Sequence, residues 1–407
     1  MELPELLAPA GNMSKLKIAL DYGADAVYCG GREFGLRAKA DNFSRKELLE
    51  AAEYVHQRNK KIYLTLNIIP HNQDLEKILE FFDFLSELDI DGVIVSDPGV
   101  LYLIAEKNLD LPIHLSTQAN TVNWASVRFW EEKGVERVIL ARELSRDEIA
   151  EIKSQTSAGL EVFIHGSMCI SYSGRCLLSN YLAGRDANRG NCAQPCRWKY
   201  SLMEEKRPGQ YFPVDDSDKG TYIMNSRDLN LLEEIPELIE LGIESLKIEG
   251  RMKSIHYVAT VTGVYRQALD SYADDPKGFV VKQEWKDELD KVSHRPYTKG
   301  FFHGNPGEQG QNYADSSYIR DYKYLGQVKG FLPDPGLAIV RIKNKICQGD
   351  EVEFFGPGGD IFKQKIEVIL NNEGEAVEEA PHPESIVKVG VQRPIGENYI
   401  IRRSNCS

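Results

Sequence analysis

No apolar run in the 407-residue chain approaches the roughly 18 residues a membrane span needs, so a helical membrane protein is not expected. The opening stretch, MELPELLAPAGN, has acidic residues and no basic n-region. It does not read as a secretory signal, and the expected compartment is the cytoplasm. Positive charge is short as well: 49 Lys and Arg stand against 62 Asp and Glu, a formal net charge of −13. That excludes a chain whose whole surface attracts nucleic acid, although a local basic patch would suffice for one contacting face. Nucleotide-binding glycine motifs are missing, both GxGxxG after a strand and the P-loop, and there is no HExxH zinc-protease helix. His71, His114, His256, His294 and His303 are scattered and read as structural.

What is present is a repeating alternation. Short aliphatic and β-branched runs recur at 6–11, 26–31, 62–67, 92–97, 113–118, 137–142, 161–166 and 245–250. Near-continuous apolar runs of this kind suit strands buried on both faces of a parallel sheet. Helix-period segments lie between them, at 46–57, 75–88 and 229–242, and Ser44 with Glu47 and Ser145 with Glu148 have capping-box spacing. Eight such units match an α/β fold of the (β/α)8 barrel type, with a doubly wound open sheet as the alternative. The segment 167–244 is then an insertion after strand 7. Residues 1–310 form the expected catalytic barrel domain, which ends beyond an amphipathic helix at 254–272. From about 315 the chain turns to short strands separated by Gly, Pro, Asn and Asp, so 311–407 is expected to be a small all-β barrel domain.

The insertion carries four of the seven cysteines, Cys169, Cys176, Cys192 and Cys196, spaced C-x6-C-x15-C-x3-C in a Gly-rich loop. In a reducing compartment such a cluster points to metal rather than to disulfides. Four soft thiolates suit zinc or an iron–sulfur cluster, and the spacing leaves both open. Arg175, Arg185, Arg189 and Arg197 would stabilise thiolates there. Basic residues of 185–207 interleaved with Trp198, Tyr200 and Tyr211 could face RNA, or form a solvated loop.

In a barrel the strand C-termini converge over one mouth. Asn67, Asp97, Ser116, Gln118, Arg142, His165, Glu249, Arg251 and Cys29 sit at such positions. His165 and Glu249 are the candidate reacting groups. Asn67, Gln118, Arg142, Arg227 and Arg251 are the candidates for binding an anionic small molecule, since Arg matches carboxylates bidentately. Asn225, Arg227 and Asp228 otherwise read as a helix N-terminus. Cys347 and Cys406 fall in the β region, far from the cluster in sequence.

The stretch EVFIHGSMCISYSGRCLLS, Glu161 to Ser179, resembles the signature of peptidase family U32, the collagenase-like proteins. LAPAGN, DAVYCGG and KIEGRM (Lys247 to Met252) resemble further segments of that family, and the similarity spans most of residues 1–310. The resemblance implies oxygen-independent hydroxylation of RNA, with Cys169, Cys176, Cys192 and Cys196 as ligands of a [4Fe-4S] cluster. Within the family the chain is most similar to the branch that forms 5-hydroxyuridine at the tRNA wobble position. That branch implies tRNA and a small anionic metabolite such as prephenate as partners. Two alternatives stand beside it. One is a U32-type endopeptidase, for which the sequence offers no nucleophile elbow and no apparent Cys–His dyad. The other is a non-catalytic module that uses Zn2+ to staple an RNA-binding loop. The oligomeric state is not legible in the sequence.

Overall fold

The computed structural model describes residues 3–32, 41–169, 171–198, 202–203, 211–212, 226–306, 310 and 318–405. Eight strands are parallel to their barrel neighbours: β1 (Glu5–Pro9), β2 (Ala26–Cys29), β3 (Lys61–Leu66), β4 (Gly92–Val95), β5 (Ile113–Leu115), β6 (Arg137–Ile139), β7 (Gly159–Ser167) and β8 (Ser245–Ile248). β8 pairs with both β1 and β7, so the sheet closes on itself as a barrel rather than remaining open. All eight apolar runs of the sequence became these strands. The reason is physical: strands covered on both faces tolerate few polar side chains, and β2 and β4 are buried throughout.

Helices follow the strands at Arg45–His56, Asn72–Leu85, Pro98–Glu106, Trp124–Glu131 and Arg146–Gln155. The first buries Leu48, Ala51, Ala52 and Val55, one stripe at helical spacing. Both capping boxes form, with Ser44 paired to Glu47 and Ser145 to Glu148.

The run 229–242 differs from its expected form. It opens as a strand, Asp228–Asn230, and only Ile235–Glu240 is helical. That strand pairs antiparallel with the end of β7, Asp228 opposite Ser167 and Asn230 opposite His165. It also pairs with Tyr297–Thr298. Arg227 and Asp228 therefore lead into a sheet edge, not a helix N-terminus, and Asn225 lies outside the described residues. The non-local partner decides: an apolar DLNLL stretch takes the strand form when an open edge is offered.

Two compact units emerge, and they interleave along the chain. The first holds 1–16, 24–253 and 295–318; the second holds 17–23, 254–294 and 319–407. The sequence division at 310/311 runs straight along the chain, whereas the second unit also takes up the helix Ile255–Asp274. Gly263 of that helix lies against Tyr22 and Phe355, and Gln267 accepts a hydrogen bond from the Trp285 indole at 3.3 Å. This unit also holds a seven-stranded antiparallel sheet in the order 361–365, 351–355, 400–404, 322–332, 337–342, 386–390, 369–370. One face closes over Leu325, Val340, Phe354, Val389 and Ile401. Among the described residues no helix is long and apolar enough to cross a membrane.

Candidate functional site

Below the mouth, the barrel interior holds an ion network in place of the usual aliphatic layers. Lys247 Nζ lies 2.8 Å from Glu161 Oε1, and Arg137 lies 3.5 Å from Glu161 and 2.7 Å from Glu5. The Tyr63 hydroxyl donates to Glu5 at 2.7 Å, and that of Ser245 does so at 3.1 Å. Burial holds Lys247 below the ordinary lysine value, with Glu161 pulling the other way. Glu161 is thus committed to cations inside the barrel.

Over this layer, Arg142 stacks on the Phe163 ring at 3.9 Å. Its guanidinium donates to the Ser167 carbonyl at 2.7 Å and to Glu249 at 3.0 Å. The Glu249 backbone N–H donates to the His165 carbonyl at 2.9 Å. Arg142, His165 and Glu249 are therefore neighbours, as their places at strand ends require. His165 itself is buried, its ring 5.3 Å from that of Tyr297.

The other candidates form two further sets. Asn67 donates to Gln118 at 2.7 Å and accepts from it through its carbonyl at 3.1 Å, and Ser116 donates to Gln118 at 2.8 Å. Arg251 is buried and donates to Thr65 at 2.7 Å. Arg251 Nη1 would stand 2.2 Å from a Cβ at Gly30, so a side chain there would displace the guanidinium. Cys29 is buried, and burial pushes its thiol up to about 12. Asp97 caps the helix Pro98–Glu106 by accepting from the Val100 N–H at 3.0 Å. Arg227 is tied through its backbone N–H to the Gly310 carbonyl at 3.1 Å.

The cysteine segment is fastened to the rim of this mouth at several points. Gly174 (φ +73°) presses on the backbone of Gln118, whose carbonyl oxygen would lie 2.2 Å from any Cβ. The Ser173 N–H donates to Glu143 at 3.1 Å. Arg189 pairs bidentately with Asp74 at 2.7 and 3.0 Å, and the Ile69 N–H donates to the Asn188 carbonyl at 3.1 Å. Burial raises the Glu143 carboxyl. Glu143 was not singled out in the sequence, although it directly follows Arg142 at a strand end.

Cys169 is exposed, and Cys176, Cys192 and Cys196 are partly buried; all four are free thiols. Burial raises the thiol of Cys196, Arg197 opposes this, and Cys169, Cys192 and Cys176 raise it further. The four thiols thus share one neighbourhood. The Gln194 backbone N–H donates to Cys192 Sγ at 3.3 Å. Among the described residues no three His, Cys, Asp or Glu side chains stand together at metal-holding distance. The donor set nonetheless fits a soft metal or cluster by its chemistry: four reduced thiols on one loop, one already accepting a backbone N–H.

Beside Cys196 lies a cationic group that sequence reasoning missed. Arg197 donates to the Tyr318 hydroxyl at 2.8 Å, and Lys253 and Arg295 each stand 4.6 Å from the Tyr318 ring centre. Asp228 is the near carboxylate, 3.9 Å from Lys253. Arg295 is buried, and burial followed by Arg197 holds it below the ordinary arginine value. Its only signal in the sequence was a charged residue amid the aromatic HRPY stretch. Tyr200 and Cys406 lie outside the described residues.

The sequence profile of peptidase family U32 matches residues 11–312, and that of the family's C-terminal domain matches residues 320–402. Over 400 residues the chain is 44% identical to the tRNA hydroxylation protein P1 of Bacillus subtilis (strain 168), covering 98% of this chain and 94% of that one. It is 37% identical to the tRNA hydroxylation protein P of Escherichia coli (strain K12), covering 99% and 97%. A 23S rRNA 5-hydroxycytidine synthase of Escherichia coli (strain K12) is 35% identical over 75% of this chain and 46% of that protein. On the profile match and on full-length identity, the chain belongs to peptidase family U32.

Proposed function

We propose that this chain is an RNA-modifying hydroxylase acting on tRNA, that it forms 5-hydroxyuridine at the wobble position, and that it holds a [4Fe-4S] cluster. The observation that carries the reading is the segment of four thiols seated on the mouth of a closed barrel, in a chain 44% identical to a tRNA hydroxylation protein along nearly its full length. Cys169, Cys176, Cys192 and Cys196 would hold the cluster, and metal binding would draw the thiols together as ligands. Bound there, it would supply one-electron transfer. The protein's own part is positioning. Arg142, clamped by Glu249 and Ser167, forms a fixed cationic floor on Phe163. A small dicarboxylate such as prephenate would meet cations at Arg142 and Arg251 and, beside Cys196, at Arg197, Lys253 and Arg295, which gather around Tyr318.

A cysteine peptidase built on Cys29 finds no support in the geometry. A cysteine nucleophile needs a lowered pKa, and the thiol of Cys29 is displaced the opposite way. The test is mass analysis of tRNA nucleosides from a deletion strain carrying either the wild-type chain or single Cys→Ala variants at the four positions. Anaerobically purified protein is assayed for iron and sulfide in parallel. Loss of 5-hydroxyuridine that only the wild type restores, with about four iron and four sulfide per chain, supports the reading. Stoichiometric zinc without iron, or unaltered tRNA in the deletion strain, overturns it.

A further inference from the structure

The short helix Leu178–Ala183 is built inside out. Its buried residue is a serine, Ser179, whose hydroxyl accepts the Ala193 backbone N–H at 2.8 Å and so ties the helix to the stretch carrying Cys192. Large apolar side chains stand in water instead: Leu177, at its N-cap, is 70% exposed and Tyr181 84%. Leu177 and Tyr181 lie at i and i+4, which places them on one face, and Leu182, the next residue along, is exposed as well. A surface helix of a globular protein normally buries that stripe.

The helix is nonetheless well formed. The Tyr181 N–H donates to the Leu177 carbonyl at 2.9 Å, the Gly184 N–H to Asn180 at 2.8 Å, and the Arg185 N–H to Ser179 at 3.1 Å. Fifteen large hydrophobic residues are exposed among the described residues, and five of them, including Tyr172 and Trp198, fall in residues 172–198. A monomer scatters such residues singly, so a concentration of this kind marks a contact surface.

Charge identifies the occupant. Between residues 167 and 198 stand four arginines and one aspartate, in a chain whose net charge is −13. Aromatic rings interleaved with guanidinium groups form the pattern that grips unpaired nucleotides: each base has a face to stack, and each phosphate needs a cation. The same segment is fastened to the rim of the barrel mouth through Gly174, Ser173 and Arg189. A nucleotide chain lying on it would therefore run past the thiols toward the mouth.

We propose that the exposed rings of Tyr172, Tyr181 and Trp198 form a stacking platform for the unpaired nucleotides of an RNA loop, with Arg175 neutralising phosphate charge. This rests on the tRNA reading above, and it names the surface that would hold the loop. The test measures binding of an unmodified tRNA transcript, and of a fully paired RNA duplex of equal length, by fluorescence anisotropy at fixed salt. Tyr181→Ala and Trp198→Ala should each weaken tRNA binding by roughly 5- to 150-fold, the range for losing one base–aromatic stack. Tyr181→Phe, which keeps the ring, should stay within about twofold of wild type, and duplex binding should not change. Arg175→Gln, at an exposed position, should reduce the salt slope by about 0.7. Unchanged melting temperature and metal content would show that the variants fold. Wild-type binding with unaffected alanine variants overturns the platform and leaves the hydroxylase reading intact. Alanine variants that keep their RNA affinity but lose a co-purifying protein make the face a protein interface and also overturn it. Failure of the wild-type chain to bind tRNA overturns both.

Discussion

The buried pair Glu161–Lys247 allows a sharp test of how the barrel interior is held. Their side chains are 0% and 4% exposed and meet at 2.8 Å, with Arg137 Nη1 3.5 Å from the second carboxylate oxygen. Glu161→Leu removes the carboxylate these cations share, leaving Lys247 without its bonded partner and Arg137 with Glu5 alone. Breaking one side of a buried ion pair costs about 3–5 kcal/mol, because an uncompensated charge stays out of water. At a urea slope of about 2–3 kcal/mol per molar, the midpoint should fall by about 1–2.5 M. The double change Glu161→Leu with Lys247→Met removes both charges and should recover most of that loss, since an apolar pair of similar volume is often no less stable. The single variant should also respond to pH. Burial already holds Lys247 below the ordinary lysine value, and losing Glu161 removes the main opposing influence. With the folded value below the unfolded one, the unfolded chain binds more protons between the two, so the variant should regain stability as pH rises toward the ordinary lysine value of about 10.4. Urea unfolding followed by circular dichroism at neutral and alkaline pH measures all three. A Glu161→Leu midpoint close to wild type, or a double variant no more stable than the single, would refute the reasoning.

Gly174→Ala should unseat the cysteine segment, because its Cβ would meet the Gln118 carbonyl oxygen at 2.2 Å in a left-handed backbone of φ +73°. Metal content per chain should drop while the barrel's melting midpoint holds, and Gly134→Ala, also at positive φ but with nothing within 4 Å, serves as the control for backbone strain alone. His56 bridges Asp89 and Asp91 at 3.1 and 3.0 Å; burial opposes its charge, but the two carboxylates outweigh burial and raise its pKa. The stability it contributes is therefore complete below the ordinary imidazole value of about 6.5 and lost as pH rises through the raised one. Unfolding curves of wild type and His56→Ala should accordingly converge at alkaline pH. In metal-free native protein, iodoacetamide at about pH 8 should label exposed Cys169 and spare Cys29, whose thiol burial pushes up to about 12, until denaturant is added; peptide mass analysis reads both sites.

The barrel was legible because its chemistry is local. A strand covered on both faces must be apolar along its length, and Ser44 and Ser145 announce their helices by a fixed offset to Glu47 and Glu148. Closure was an inference from number, settled by the pairing of β8 with β7. What stayed hidden depends on partners distant in sequence. Asp228–Asn230 carries no strand pattern of its own and takes that form because the end of β7 offers an edge. The ion network joins residues 5, 137, 161 and 247, and its trace was a Glu or Lys set within an otherwise apolar strand. At the site, position along the chain located Arg142, Glu249 and the four cysteines. It gave no sign that Lys253, Arg295 and Tyr318 would assemble beside Cys196, because those residues lie beyond the barrel strands in sequence.

The pairing of Asp228 with Ser167 has a consequence for how such a site can change over time. The excursion that carries the cysteines leaves the barrel and returns to it at directly facing residues. Its length is thus uncoupled from the register of the strands. Because closure entropy grows only with the logarithm of loop length, residues can be added to or removed from this excursion at small thermodynamic cost. The barrel then acts as a fixed socket and the excursion as an exchangeable head. A chimera that grafts the 168–227 segment of a relative with a different RNA substrate onto this barrel should fold and carry the donor's nucleotide preference with it.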